Sequence, residues 1–173
     1  MPEDPLSRKE RLLLFNDFLI LRRLDPENEE HYKRCCEILE GGFEIEYEDV
    51  YGSVSEDVLP VSESRYVMDV LDLHLALKRS FDELEDKDGI TDPAIRFRGF
   101  DGNNEGDLLR YAQYLREQGR WRELLENGDL NSHAHTYHRY QKMLALWQQV
   151  GDQWHMTSAE IKRVALIETT PGA

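Results

Sequence analysis

Two polar segments carry the residue types that could do chemistry. The first is Gly99-Phe100-Asp101-Gly102-Asn103-Asn104-Glu105-Gly106-Asp107. Asp101, Asn103 and Glu105 stand at alternate positions before a glycine, the opening rhythm of a helix–loop–helix calcium loop. Such a loop needs a bidentate glutamate at its twelfth position, where this chain has Ala112. The calcium reading fails there. The segment reads instead as a glycine-bearing turn whose Asn103 or Asn104 caps a following helix. The second segment is Asp129-Leu130-Asn131-Ser132-His133, also just ahead of a helical pattern. A small hydrolase would use carboxylates and an imidazole as general acid and base, so Asp101, Glu105 and His133 are the candidate catalytic residues. Asn103, Asn104 and Asn131 are candidate binding groups, and each segment precedes a helix N-terminus, where an anion could bind.

His135 and His138 lie one helical turn apart and could share a metal. On a helical wheel they fall away from the face of Tyr137, Tyr140, Leu144 and Trp147. Solvated histidines are the better reading, and no metal is expected. The chain shows no glycine-rich phosphate loop, no nucleophile elbow, no zinc-ligand spacing and no triad spacing, so no cofactor is expected either. Cys35 and Cys36 are adjacent, which suits a disulfide poorly, and both fall on the buried side of a helix as inert core thiols.

The elements that must position these residues are predicted to be almost all helical. Ser7 with Glu10 makes a capping box that opens a first helix over 8–24. Its nine apolar residues fall on nearly every side. Burial of one face by a partner subunit and complete wrapping by its own chain are both open. Asp25-Pro26 reads as N-cap and first helical position of a second helix over 26–40, with Tyr32, Cys35, Cys36 and Leu39 inward and Gly41-Gly42 closing it. Residues 7–42 thus form an N-terminal helical hairpin. Phe43–Tyr47 and Ile95–Arg98 each alternate at the strand period, one acidic and one basic, and could pair as a small two-stranded ribbon.

Ser62 can cap a third helix reaching Leu84, with Val67, Val70, His74, Leu77, Phe81 and Leu84 as a seam. That seam is a second candidate packing or association surface, with His74 as a hydrogen-bonded core histidine. A fourth helix follows Asn104 and ends near Gln118, with a short helix over 120–125 after it. A fifth runs over 134–149, with Gly151 closing it. Thr157 with Glu160 is another capping box, opening a last helix through about residue 167, and 168–173 reads as a frayed, disordered tail. The expectation is one mainly α multihelical domain over 1–173 with five to six helices.

Composition bounds the function classes. The 173 residues hold 21 Lys and Arg against 35 Asp and Glu, a formal charge of −14. That balance opposes binding to duplex nucleic acid or to an anionic membrane, and it suits a basic protein partner. A basic patch of Arg96, Arg98 and Arg110 is the one route to an exception. The longest apolar stretch, within 12–24, is interrupted by Asn16, Asp17, Arg22 and Arg23 and is too short and polar to span a bilayer. An acidic, proline-bearing start is no signal peptide, and the lack of a disulfide framework suits a reducing compartment, so the cytoplasm is the expected location.

Several stretches together resemble the YfbU family of bacterial proteins over most of the chain. They are Leu24-Asp25-Pro26-Glu27-Asn28 with Tyr32, Gly99-Phe100-Asp101 followed by Glu105, Tyr140-Gln141-Lys142-Met143-Leu144 with Trp147, and Thr157-Ser158-Ala159-Glu160-Ile161. The resemblance implies a cytoplasmic, mainly helical, self-associating protein. It supplies no activity, cofactor or catalytic residues to carry over. His135, His138 and the acidic segment 44–57 depart from the family pattern.

Two function classes follow. The favoured one is a non-catalytic homo-oligomeric module acting through protein–protein interaction in regulation, stress response or defence. The alternative is a small hydrolase-type enzyme using Asp101, Glu105 and His133. Each class places the two polar loops, 99–107 and 129–133, side by side, as a structural corner in the first and as an accessible site in the second.

Overall fold

A computed structural model of the chain describes residues 6–52, 54–55, 57–126 and 128–166. Among them are nine α-helices and two short 3-10 turns, with no strand. The expected mainly helical class is therefore right, and the count of five to six helices is too low. The residues fall into two compact units, Met1–Val58 and Leu59–Ala173.

In the first unit, α1 (Arg8–Leu24) begins at the capping box, with the Ser7 hydroxyl accepting from the Glu10 N–H and the Glu10 carboxylate accepting from the Ser7 N–H. Asp25 and Pro26 open a 3-10 turn, Pro26–Asn28, before α2 (Glu29–Gly41). The Asp25 carboxylate does not cap this turn through its backbone. It accepts from Asn28 Nδ2 at 2.9 Å and from the Tyr32 hydroxyl at 2.7 Å. Gly42, at φ 66°, closes α2 in the left-handed conformation. The two helices pack antiparallel: Leu14, Phe15 and Phe18 of α1 meet Cys35, Ile38 and Leu39 of α2, together with Tyr47 and Val50 of α3 (Tyr47–Tyr51).

The expected ribbon does not form. Glu44–Glu46 is a 3-10 turn leading into α3, and α5 (Asp92–Ile95) covers the start of the other segment. Alternation makes a strand only where one face has something to pack on. Here Tyr47 is buried while Ile45, two residues earlier and on the same expected face, stands 87% exposed. Asp92-Pro93 instead starts a helical turn after Thr91.

In the second unit, α4 (Val61–Glu83) is central. It starts after Pro60, not at a Ser62 cap. Val67, Val70 and Leu77 of its expected seam are fully buried against α6 (Gly106–Glu117), α8 (Tyr137–Trp147) and α9 (Ser158–Ala165), so the seam is spent on the unit's own core. A short α7 (Arg122–Leu125) follows Trp121, which adopts a positive φ. The Thr157–Glu160 capping box opens α9 as expected. The expected tail, 168–173, lies outside the described residues. No helix among the described residues is long and apolar enough to cross a membrane.

Candidate functional site

The two polar loops do lie side by side. Phe100 is fully buried and anchors the first loop in an aromatic cluster with Phe97, Tyr140 and His74. Its N–H donates to Leu130 O at 2.9 Å, and its carbonyl accepts from Ser132 N–H at 3.0 Å, a parallel bridge between Phe100 and Asn131. Gly99 makes this approach possible. Its φ is +86°, and a Cβ there would stand 2.0 Å from Leu130 O.

Asp101 and Glu105 come together beneath this bridge, 3% and 7% exposed. Asp101 accepts from Asn103 N–H at 3.1 Å and from Asn104 Nδ2 at 2.6 Å. Asn104 therefore braces Asp101 and does not cap the helix. That helix, α6, starts later than expected, at Gly106, with Glu105 as its N-cap residue. Asn103 supplies only its backbone N–H to the corner. Asn131 Oδ1 accepts from Gly102 N–H and from His133 N–H, both at 3.0 Å, tying the second loop to the first.

Glu105 makes the connection that spacing did not reveal. Its Oε1 accepts from Thr136 N–H and Tyr137 N–H at 2.8 Å each. Its Oε2 accepts from Asp101 N–H at 3.0 Å and from the Thr136 hydroxyl at 2.7 Å. A carboxylate from the start of α6 thus caps the start of α8, where free N–H groups and the helix dipole favour negative charge. This also explains why α8 begins at Tyr137 and not at Ala134: residues 133–136 are held in the loop pairing.

Burial raises the Glu105 carboxyl, but the bonds from Asp101, Tyr137 and Thr136 outweigh it and hold the group below the ordinary 4.5. Asp101 is lowered by the Asn104 amide and the Asn103 N–H against the opposing effect of burial. Both groups are ionised at neutral pH. A general acid would need the opposite shift.

His133 does not join the pair. It takes a positive φ of 52°, and its ring lies 3.8 Å from Asp129 with most of its side chain in solvent. The histidine beside the acids is His135, with Nδ1 at 3.8 Å from Asp101 and 4.0 Å from Glu105. Its side chain is also mostly exposed. His138 stands against the Tyr137 ring. Among the described residues no group of three His, Cys, Asp or Glu is placed to hold a metal ion.

A second candidate surface is α1. None of its residues is buried. Leu12, Leu13, Leu19, Ile20 and Leu24 are open to solvent, alongside exposed Arg8, Lys9 and Arg23. At its C-terminal end lies an open depression of about 610 Å³ lined by Leu19, Ile20, Arg22, Arg23, Leu24 and Glu29. A family model described as the YfbU domain matches residues 5–166, which takes in this helix and both polar loops.

Proposed function

The chain belongs to the YfbU family, and on that footing we propose that it is a non-catalytic interaction module that associates with itself through α1. The observation that carries this reading is a seventeen-residue helix with nine apolar residues and none buried. Leu14, Phe15 and Phe18 serve the small core of their own unit. Leu13, Ile20 and Leu24 are left on one open face, and contiguous apolar patches on soluble proteins mark interaction sites. In this reading the polar corner is structural. A hydrolase would need a carboxylate free to give or take a proton, and each oxygen of Glu105 already accepts two hydrogen bonds. A cytoplasmic setting belongs to the same reading, supported by two free, buried thiols, Cys35 and Cys36.

Sedimentation of the full chain at micromolar concentration tests it. The unaltered protein should run as an oligomer and Ile20→Lys as a monomer with unchanged helix content. Leu14 or Phe18 would be poor choices, because a charge there would disrupt the unit's own core. A monomeric unaltered protein removes the reading.

A further inference from the structure

We infer that the open face of α1 is covered by the acidic turn of a second copy. Two α1 helices lie antiparallel, and the C-terminal end of each receives the partner's Phe43–Glu48. The inference rests on the self-association reading and names its partner face.

Charge is the first support. In a chain of formal charge −14, the last turn of α1 carries Arg22 and Arg23 and no acidic residue. From 41 to 59 the chain has no basic residue, while Glu44, Glu46, Glu48 and Asp49 crowd its first part. One unit therefore carries a basic apolar surface and an acidic apolar one, and complementary potentials steer association and set register.

Shape is the second. The turn Glu44–Glu46 presents Ile45 to solvent at 87% exposure, with Phe43 also open. The depression on α1 offers Leu19, Ile20 and Leu24 to such an apolar tip and Arg23 to its flanking glutamates. Arg22 is already engaged with Glu29 at 3.0 Å.

Position is the third, and it selects a second copy over the same one. Arg11 Nη1 donates to Leu39 O at 3.0 Å and lies against Gly42, so the acidic turn follows directly from the N-terminal end of α1. The basic depression is at the other end, about 18 Å away along the helix from Arg11 to Arg23. The two surfaces of one molecule stand apart. Antiparallel pairing brings each beside its complement on the partner, twice over, and a two-fold arrangement of this kind closes as a dimer. Leu13 and Ile20 then fall along the seam between the helices.

Two oppositely defective variants test it. By sedimentation, Arg23→Glu and the double variant Glu44→Lys/Glu46→Lys should each dimerise about tenfold more weakly than the unaltered chain. Mixed in equal amounts, they should form a heterodimer of near-native affinity, since one contact is then the native pair and the other is restored with its charges exchanged. Association of the unaltered chain should weaken as salt rises. A dimer whose affinity neither variant changes, or a mixture no tighter than its components, overturns this inference while self-association stands. A monomeric unaltered protein overturns both. So does a monomer that binds vesicles of anionic phospholipid and loses that binding in Arg23→Glu, which would give the basic face to a membrane surface.

Discussion

Glu105 joins two stretches of chain: its own loop at Asp101 and, more than thirty residues on, Thr136 and Tyr137. Glu105→Ala leaves buried N–H donors without acceptors and should cost about 3 kcal/mol or more in denaturant unfolding. Glu105→Gln puts an NH2 group against donors on one side and should cost about 1–3 kcal/mol. A second buried group sets the acid limit. Burial lowers His74 from 6.5 to about 4, against the bond its Nδ1 makes to Ile95 O and with Arg139 and Arg98 adding to the fall. The folded value is depressed, so the ring's contribution is whole above 6.5 and is lost as pH falls toward about 4. The loss amounts to about 3 kcal/mol. Glu105 acts with the same sign but only below its ordinary 4.5. Denaturant unfolding between pH 7 and 5 should therefore show falling stability, and a non-titrating His74→Gln chain should show a flatter profile. An equal slope in both would assign the pH dependence elsewhere. Asp101 and Glu105 were visible in the sequence as a polar cluster, but Glu105 as the cap of α8 was not, because its partners are remote in sequence. His133 was the wrong histidine to pair with them for a local reason: its positive φ turns the chain and leaves His135 beside the acids.

Two helix starts with reciprocal local bonds read off the sequence to the residue, while the single-residue signals at Ser62 and Asp25-Pro26 missed theirs. The capping boxes at Ser7 and Thr157 read off correctly because donor and acceptor sit three residues apart on the same turn. The starts of α6 and α8 did not, because loop-to-loop pairing sets both. That pairing depends on Gly99. Adding a Cβ 2.0 Å from Leu130 O at a φ of +86° forces the strands of chain apart. Gly99→Ala should cost at least about 2 kcal/mol and release the protected amides of Phe100 and Ser132 to hydrogen exchange. Gly102→Ala is the milder comparison, since only the flexible Asn131 amide stands close to a Cβ there. Equal protection of Phe100 and Ser132 in Gly99→Ala would show that the bridge survives. The unformed ribbon teaches the converse. Period-two alternation at Phe43–Tyr47 was legible, but without a sheet to join, the chain takes the locally bonded 3-10 turn.

At the scale of the whole molecule, exposed apolar side chains are unevenly shared. Ten of the fourteen large ones that stand open among the described residues belong to Met1–Val58 and four to Leu59–Ala173. Among the described residues the first unit buries six apolar side chains, Cys35, Cys36, Ile38, Leu39, Tyr47 and Val50. A unit under 60 residues buries only about 60% of its unfolded surface and is marginal alone. Its folding should therefore lean on association, which stabilises more as the logarithm of concentration rises. The tryptophans separate the two units cleanly, since Trp121, Trp147 and Trp154 all lie in the second. Helical circular dichroism reports both units, and tryptophan fluorescence reports one. In dilute protein the helical signal should begin to fall at a lower temperature than the fluorescence changes. Raising the concentration should move that early loss upward and leave the fluorescence transition nearly where it was. Arg23→Glu, weak in dimerisation, should show the early loss even when concentrated. Coincident transitions that do not shift with concentration would mean that the first unit is held by something other than a second copy, and the exposed face of α1 would then need another explanation.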